Sequence, residues 1–506
     1  MPRALFSLYD TSEVESFAKS LHNLGWEIIS TKETSLLLDK AGIPSTSVEE
    51  FVGITDDYEI PPTLHPKIEQ ALTGQEPDSC IDLVYDLPYP LEKGNDVGGH
   101  TLLALAVKGN RAPVMAREDM RLVIQDLEQS GAISEDLRGD LISKASARIV
   151  EHYISVLRQR GDGDGVAGIR TLELLNGENP YQIPSYLFAA SGDGDKLALH
   201  KFRLLRGESP CFTNVADLDC ILHTLCLACE AFNKSFGKVP YLAVAAKHGN
   251  ACGLAADWQS PGAAAEKALS GNMSAIWGGE VIVNFPIDGI VAPLLYESRE
   301  REKKLGNKAW MLDVIAAPSF SKEALNILGR KQSRKLFENG QLSSPGVSIT
   351  RNLRQVRGGF LCQPSFGYVL DFDEAEKASP DFSDEDRTSL ILAWATAWSS
   401  SLGGNEIAIV KDGQLIGSGG GPSTVVAARN AVIRAREEAH SLENSVFAAD
   451  AFFPYTDAPQ VLIDGGCSLG LVPKGGVREQ QVRDLFKSEN VRMCFLPEQF
   501  RGFCRH

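Results

Sequence analysis

The segment that follows the apolar run 241–245 carries the strongest chemical signal in the sequence. It reads Lys247-His248-Gly249-Asn250, continued by Ala-Cys-Gly, and so combines a cation, an imidazole and an amide with two glycines. A histidine supplies a base near neutral pH, an adjacent ammonium favours the neutral imidazole by like-charge repulsion, and glycine lets a ligand approach the backbone. These features suit catalysis. An ordinary polar β-turn is at least as consistent with the spacing alone.

A glycine-rich segment follows further along the chain. Gly403-Gly404-Asn405 precedes the apolar run 407–410, and a hairpin at residues 411–414 leads to five residues, 417–421, that include four glycines. A helix is expected to open at Thr424. Successive backbone N–H groups at a helix start bind an anion or a carbonyl, although the Lys-Ser/Thr ending of a P-loop is missing here. A structural tight turn is the equal alternative.

Two patterns suggest metal sites only at first sight. Cys226-x-x-Cys229 with His223 has no second pair of ligands at metal spacing, and its apolar neighbours recur with helical periodicity, so a core helix is favoured. Asp162-x-Asp164 lacks the third acidic ligand and the closing Glu of a calcium loop, which favours a flexible hinge. The sequence therefore predicts no metal site.

Paired aromatic residues stand near the C-terminal end. Phe452 and Phe453 precede Pro454, and a turn with Gly475-Gly476 follows about twenty residues later. Such aromatics form a wall against which a flat ring stacks, or they belong to the core.

The elements that must position these residues alternate along the chain. Residues 4–8 and 26–29 read as buried strands, and Ser12-x-x-Glu15 offers a capping box for the helix between them. This order predicts a parallel α/β sheet, whose ligands lie at the carboxyl ends of the strands. The loops 9–13 and 30–34 are therefore candidate ligand loops.

The chain is expected to contain two domains. Residues 116–158 are helix-favouring, and the Gly/Asp-rich stretch 161–170 resembles a linker, so one domain should span 1–160 and a second 171–506. Short apolar strands in the second domain include 281–283 and 461–463. Its size suggests two sub-domains that meet near 360–390, although no repeat of fixed period is visible.

Composition restricts the class of protein. The chain has 506 residues, 43% of them apolar, and 50 Lys+Arg against 66 Asp+Glu give a formal charge of −16. This balance predicts a globular protein that is a poor partner for nucleic acid or anionic membrane. Ten cysteines are too few for a disulfide scaffold. With no apolar stretch near 18 residues and no signal peptide, a cytoplasmic location is expected.

Together and in order, the motifs resemble the bifunctional AICAR transformylase/IMP cyclohydrolase family. The family's KHGNPCG appears at 247–253 with Ala251 in place of Pro, GENPHQ at 177–182, SNAI at 404–407 and DAFFPF at 450–455. The resemblance covers nearly the whole chain. It implies a methylglyoxal-synthase-like N-terminal domain followed by two cytidine-deaminase-like α/β sub-domains. It also implies a homodimer with transformylase sites at the subunit interface, and 10-formyltetrahydrofolate as cosubstrate.

The resemblance also implies residue roles. His248 would accept the proton of the amine that attacks the formyl carbon, Lys247 would stabilise the oxyanion or assist the leaving folate nitrogen, and Asn405 would hold the formyl oxygen. Substrate-binding positions would be Asn176, Gly278, Asp288, Phe452 and Arg501. Folate-binding positions would be Val426, Asp457, Gly476 and Val477.

The departures from the family motifs concentrate at the positions where the N-terminal domain of the family binds phosphate. This chain lacks cations or glycines that the family carries in its motifs SVSDKTG, STGGT, RVKTLHP and DIGGPTLLRA, which correspond to residues 7–13, 30–34, 60–66 and 96–108. Glu33 adds a negative charge that repels phosphate. Since each charge-assisted phosphate contact is worth roughly 1.5–3 kcal/mol, cyclohydrolase activity is expected to be lost. The vestigial site would retain Asp10, Thr34, Thr63, Asp96 and Lys108.

A parallel change appears in the transformylase half. The Arg of the family's LRYGENPHQ is Leu175 here, and the Arg of GIGAGQMSRV is also missing. This pattern predicts formyl transfer to an amine acceptor without a ribose 5-phosphate. Two alternatives stay open. One is a complete bifunctional purine enzyme that holds phosphate through Lys32 or Arg501. The other is a non-catalytic folate-binding paralogue, against which the retained catalytic residues argue.

Overall fold

The computed structural model describes residues 1–54, 62–74, 80–190, 194–306, 308–348, 350–377 and 382–502. The chain divides into two compact units. The first comprises Met1–Thr171 with Phe188–Gly194, and the second comprises Leu172–Leu187 with Asp195–His506. Within the described ranges, no helix has the length and apolarity that crossing a membrane requires.

The first unit is built on a five-stranded sheet in the order β3-β2-β1-β4-β5, with every neighbouring pair parallel. This confirms the predicted parallel α/β arrangement, and apolar residues are buried on both faces of the sheet. The strands are β1 (Arg3–Leu8), β2 (Glu27–Ser30), β3 (Thr46–Ser47), β4 (Leu83–Leu87) and β5 (Ala112–Val114). The helices are α1 (Val14–Asn23), α2 (Lys32–Lys40), α3 (Val48–Val52), α4 (Pro66–Thr73), α5 (Val97–Lys108), α6 (Arg117–Ser130) and α7 (Glu135–Arg160).

The start of α1 differs from the prediction. No capping box forms at Ser12, because its hydroxyl and its N–H both donate to the carboxylate of Asp10, at 2.6 and 2.9 Å. The helix begins after Glu13, whose φ is 63° and whose side chain does not cap it. The capping-box prediction is therefore wrong, since the nearby carboxylate competes for the serine.

The second unit contains a twelve-stranded sheet and ten helices within the described ranges. A separate hairpin pairs β6 (Gly168–Leu174) with β7 (Ser185–Ala190), and another pairs β14 (Arg351–Val356) with β15 (Gly359–Pro364). The sheet strands are β8 (Arg203–Arg206), β9 (Tyr241–Lys247), β10 (Asn250–Asp257), β11 (Gly279–Val283), β12 (Leu312–Ala317), β13 (Lys335–Glu338), β16 (Glu376–Lys377), β17 (Glu406–Lys411), β18 (Gln414–Gly420), β19 (Ser445–Ala449), β20 (Cys467–Pro473) and β21 (Arg492–Leu496). The helices are α8 (Phe212–Phe236), α9 (Pro261–Leu269), α10 (Met273–Ile276), α11 (Val291–Tyr296), α12 (Arg299–Lys304), α13 (Lys322–Leu328), α14 (Asp384–Ser399), α15 (Thr424–Glu437), α16 (Asp457–Gly465) and α17 (Glu479–Ser488).

The strand order of the large sheet is palindromic. It runs β16-β21-β20-β19-β17-β18-β10-β9-β11-β12-β13-β8, so its two halves have the same topology. Each half starts with an edge strand and a long helix (α8 or α14), continues with an antiparallel hairpin and ends with parallel strands. The halves meet where β10 pairs antiparallel with β18. The second unit is therefore a tandem structural repeat, in line with the two α/β sub-domains that the family resemblance implies.

Two local predictions in the second unit are corrected. Residues 461–463, expected to be a strand, lie inside helix α16, because a run of three apolar residues does not distinguish strand from helix. The glycines of 417–420 belong to strand β18 rather than to a loop. A Cβ on Gly419 would lie 2.3 Å from the backbone nitrogen of Ala431, so these glycines let α15 pack closely on the strand.

The prediction of a core helix around Cys226 and Cys229 is confirmed. Both thiols are buried in α8, and burial raises their pKa values well above the ordinary cysteine range. Burial also lowers the pKa of His223 on the same helix. No group of three or more His, Cys, Asp or Glu side chains with metal-binding geometry occurs in the described part of the chain.

Candidate functional site

The predicted site begins at the turn between β9 and β10. His248 and Gly249 are its two central residues, with φ of 52° and 70°, and Lys247 pairs with Asn250 across it. A type I′ hairpin turn requires positive φ at both central positions. At the second position, this conformation costs little free energy only for glycine. A Cβ on Gly249 would lie 2.8 Å from Sγ of Cys220 on α8. The turn therefore packs on α8 and exposes His248.

Lys247 is anchored to the neighbouring strand. Its ammonium donates a hydrogen bond to the carbonyl oxygen of Gly278, which directly precedes β11. Two positions further along β11, Glu280 is 2% exposed and accepts a hydrogen bond of 3.3 Å from the Asn214 side chain. Burial raises the pKa of Glu280 to about 8, an effect that the charge of Asp217 increases and that of Lys247 opposes. Glu280 is not among the site residues predicted from the sequence.

Asn250 connects the turn to the second repeat. Its Nδ2 donates to the carbonyl of His248 at 2.9 Å, and its Oδ1 accepts the backbone N–H of Ser401 at 2.8 Å. Ser401 belongs to the loop that leads to Asn405. The two predicted catalytic segments are therefore linked by one amide side chain.

Asn405 is held in a backbone pair with Gly421. Each residue donates its N–H to the carbonyl of the other, at 3.2 and 3.1 Å, and Nδ2 of Asn405 adds a third bond of 3.0 Å to the Gly421 carbonyl. Val426, a predicted folate contact, packs against the same glycine, because a Cβ on Gly421 would lie 2.6 Å from its Cγ1. The structure thus brings Asn405 and Val426 together at the end of β18.

Two buried carboxyl groups lie behind Asn405. The backbone N–H of Glu406 donates to Oδ1 of Asp450 at 2.9 Å, and both side chains are at most 2% exposed. Burial raises the pKa of Asp450 to about 8, and the neighbouring Glu406 charge adds to the shift. Burial also raises the pKa of Glu406. Burial therefore favours the protonated, neutral form of Asp450.

The remaining predicted residues of the second repeat follow the carboxyl ends of three adjacent parallel strands, β19, β20 and β21. The guanidinium of Arg501 lies 5.4 Å from the centroid of the Phe452 ring. A Cβ on Gly476 would lie 3.2 Å from the same ring, so this glycine keeps one side of Phe452 open. Asp457 and Val477 are exposed at the same sheet edge, as a ligand-facing rim requires.

Asn176 lies at the start of α8. Its carbonyl accepts the backbone N–H of Phe212 at 3.0 Å, and the residues after Phe212 on this helix contact Glu280 and the turn at Gly249. A cleft of about 400 Å³ opens between Phe212 and the segment that follows Asn176. Leu175, the position of the missing arginine, is 60% exposed.

Asp288 lies away from this group of residues. Its Oδ1 accepts the N–H groups of Ile290 and Val291 at 2.9 Å and so caps the start of α11, beyond the opposite end of β11 from Gly278. The spacing Asp-x-Ile-x-Ala-Pro that suggested this residue recurs at 313–318. There Asp313 stands on β12 next to the Gly279–Leu312 pair and raises the pKa of Glu280. Asp313, not Asp288, therefore lies near the end of β11 that Lys247 contacts.

The candidate site of the first unit has acidic groups paired with its cations. Asp10 follows β1 and binds Arg117, and Glu13 accepts two hydrogen bonds from Arg121 at 2.7 and 2.9 Å. The hydrogen bonds from Ser12 lower the pKa of Asp10 to about 2, and Arg117 adds to this effect. Glu33 and Lys32 are exposed at the start of α2.

The other residues assigned to that vestigial site serve the fold. Asp96 accepts the N–H of Gly99 at 2.7 Å as the N-cap of α5, whereas Lys108 ends the same helix and pairs with Glu69 at 3.4 Å. Twelve residues at 1.5 Å each separate the Cα atoms of Asp96 and Lys108 by about 18 Å. Thr34 and Thr63 are buried, and Thr34 shares a hydrogen bond of 3.2 Å with Thr31. Ile60 and Pro61 lie outside the described residues.

These observations define a class of protein: a parallel α/β domain followed by a tandem-repeat α/β region with a charged turn at its centre. Residues 110–434 match the model of the AICARFT/IMPCHase bienzyme family, and residues 13–110 match that of the MGS-like domain. The chain therefore belongs to the AICARFT/IMPCHase bienzyme family.

Relatives with curated names extend the likeness to nearly the whole chain. The bifunctional purine biosynthesis protein PurH of Anaeromyxobacter sp. (strain Fw109-5) is 28% identical, over 97% of this chain and 98% of the relative. PurH of Neisseria meningitidis serogroup A is also 28% identical, over 97% of both chains. A solved structure titled "Crystal structure of ForH" is 25% identical and covers 31% of this chain and 97% of its own, with a TM-score of 0.28.

Proposed function

We propose that the chain transfers a formyl group from 10-formyltetrahydrofolate to a small-molecule amine. The observation that carries this proposal is the bridge from the Lys247-His248 turn through Asn250 to the loop of Asn405. The bridge holds a cation, an imidazole and an amide at the junction of the two repeats. Membership of the AICARFT/IMPCHase family supports the reaction type.

The proposed chemistry assigns one task to each of these residues. The acceptor nitrogen attacks the formyl carbon, and His248 accepts the proton that this nitrogen loses. Lys247 and Asn405 stabilise the negative oxygen of the tetrahedral intermediate. The bond between the carbon and the folate nitrogen then breaks, and the proton on His248 passes to that nitrogen. Positioned acid–base catalysis of this kind contributes about 10²–10⁴-fold.

We propose further that the acceptor lacks a ribose 5-phosphate. Leu175 offers no charge at the rim beside Asn176, and Arg501 already lies over Phe452 and pairs with Glu498 at 3.3 Å. The folate side differs, because Gly476, Val477 and Asp457 keep an open rim along the sheet edge. This distribution of charge favours an acceptor with a neutral or amine-bearing ring over an acceptor that carries a phosphate dianion.

The first unit is proposed to have no cyclohydrolase activity. Arg117 and Arg121 are paired with Asp10 and Glu13, so these cations are neutralised before any phosphate arrives. Purified protein given formyl-AICAR should form no IMP at an enzymatic rate. IMP formation that scales with enzyme concentration would refute this part of the proposal.

We propose that the protein acts in the cytoplasm as a homodimer. The free cysteines of the described residues agree with a reducing compartment, and the family resemblance suggests the dimer. Light scattering on the purified chain should give twice the monomer mass of 54.9 kDa.

One experiment tests the reaction. The protein is incubated with 10-formyltetrahydrofolate and a panel of amines that includes AICAR and its dephosphorylated riboside, and tetrahydrofolate release is followed. Turnover that disappears in the His248→Ala variant supports the proposal, and turnover unchanged in that variant refutes the mechanism.

A second candidate is the complete bifunctional purine enzyme. It is favoured by the relatives named PurH, which match along nearly their full length. Efficient turnover of AICAR together with IMP formation would establish it in place of the first proposal.

A further inference from the structure

The tandem repeat gives the candidate site a structural counterpart. The turn Lys411-Asp412-Gly413-Gln414 joins β17 and β18 as residues 247–250 join β9 and β10. Its central residues have φ of 51° and 71°, against 52° and 70° in the first repeat. Both turns start with lysine and have glycine third. The same fold therefore builds the same turn twice.

The surroundings of the two turns also correspond. Glu280 lies opposite Ala246, which precedes the first turn, and Val446 lies opposite Val410, which precedes the second. Gly278, two residues before Glu280, has a φ of 71°. Asn444, two residues before Val446, has a φ of 60°. Each turn also packs near the first half of a long helix, α8 or α14.

The second turn borders a cavity of about 510 Å³, within the range of small-molecule pockets. Its wall contains two aromatic rings, Phe236 and Trp258, whose centroids are 5.3 Å apart. Trp258 is 38% exposed, and the ammonium of Lys238 lies 5.0 Å from its centroid. The cavity therefore offers an aromatic surface next to a polar turn.

The polar lining of this cavity includes Lys238, Asp384 and Glu385, and several of its other charges are paired. Lys267 pairs with Asp257 at 3.3 Å, and Asp386 is bound by Arg492, so these charges are balanced. In contrast, the Lys411 and Asp412 side chains make no ion pair or hydrogen bond within the described ranges. A donor and an acceptor thus stand side by side at the turn, facing the same cavity as Trp258.

We propose that this cavity binds a flat heteroaromatic ring that carries an amino group and a carbonyl group on the same edge. The ring would pack against Trp258 and Phe236, its carbonyl would accept from Lys411, and its amino group would donate to Asp412. Asp412 and Val446 replace His248 and Glu280 of the first repeat, so the cavity has no imidazole base and binds without reaction. This choice of ligand rests on the proposed function, because it assigns to the second turn the class of molecule that the first turn is proposed to bind as formyl acceptor.

The test is isothermal titration calorimetry on the full-length chain with three probes: AICA riboside, guanosine and 6-hydroxymethylpterin. All three probes carry an amino group and a carbonyl oxygen on one edge of a flat ring system, on neighbouring ring carbons in AICA riboside and across a ring N–H in the other two. They separate an imidazole, a purine and a pterin source. The cavity variants are Lys411→Gln and Asp412→Asn, since asparagine tolerates positive φ. Lys322→Ala, at an exposed position on α13, is the matched control.

At least one probe should show a binding component, separate from binding at the catalytic turn, that each cavity variant weakens at least tenfold while the control does not. Formyl transfer should persist in both variants. Binding that the cavity variants leave unchanged, or no binding of any probe, would overturn the inference. Failure of formyl transfer in the wild type would refute the proposed function instead, because the cavity titration does not depend on turnover.

Discussion

Oδ1 of Asn250 accepts the backbone N–H of Ser401 at 2.8 Å, across 151 positions of sequence. This bond joins the turn of the first repeat to the loop before Asn405 in the second. It explains how a palindromic sheet brings Lys247 and His248 from one half to Asn405 from the other. The candidate site depends on the junction of the repeats rather than on either repeat alone.

Replacing His248 should remove catalysis without unfolding the chain. His248→Asn retains a residue that tolerates φ of 52° and removes the proton acceptor. The turnover number should fall by about 10²–10⁴-fold, with little change in the melting temperature. His22→Ala, at an exposed site on α1, controls for histidine loss as such. A variant with wild-type turnover would show that another group accepts the proton.

Removing the Asn250 bridge should slow the reaction through misplacement of the turn. Asn250→Ala loses both the bond to His248 and the bond to Ser401, and misplacement by about 1 Å can cost on the order of 10²-fold in rate. Gln414→Ala is the matched control, since Gln414 holds the equivalent position in the second turn. Steady-state kinetics should show a fall in turnover for the first variant only. Equal losses in both variants would point to a general structural effect.

Adding a cation beside Asn176 should favour phosphorylated acceptors. Leu175 is 60% exposed, so Leu175→Arg places a guanidinium at the rim with little burial cost. A new charge-assisted contact of about 1.5 kcal/mol would lower the KM for AICAR roughly tenfold. Leu175→Met controls for the change of side-chain shape. The account of a missing phosphate site would be contradicted if the arginine left the KM for AICAR unchanged.

Asp450 should make stability depend on pH. Its pKa is raised from 3.8 to about 8, so its contribution to the free energy of unfolding is fully present below about pH 4 and is lost as pH rises through about 8. Asp450→Asn keeps an acceptor for the Glu406 N–H, as Asn284 does for Leu242 in the first repeat. The stability of the variant relative to the wild type should rise by up to about 4 kcal/mol between pH 5 and pH 9, since each unit of pKa shift is worth about 1.36 kcal/mol. Thermal unfolding at both pH values measures this, and parallel pH profiles would contradict the assignment.

Local patterns predicted much of this structure. The parallel sheet of the first unit follows from its strand–helix–strand order, and the hairpin turn at His248 and Gly249 follows from a short polar segment between apolar runs. The two like sub-domains followed from the family resemblance alone, because the halves share topology and turn geometry but little more than Lys and Gly at the turns, so no sequence repeat is visible. The sequence match assigned Asp288, and Asp313 was not considered although it stands in the same Asp-x-Ile-x-Ala-Pro spacing; strand register separates the two.

The most direct test of the central claim compares acceptors. Wild-type protein and the His248→Asn variant are supplied with 10-formyltetrahydrofolate and either AICAR or its riboside, and tetrahydrofolate release gives kcat/KM for each. The account predicts wild-type turnover with a higher kcat/KM for the phosphate-free riboside, and its loss in the variant. A higher kcat/KM for AICAR, or turnover that survives without His248, would contradict it.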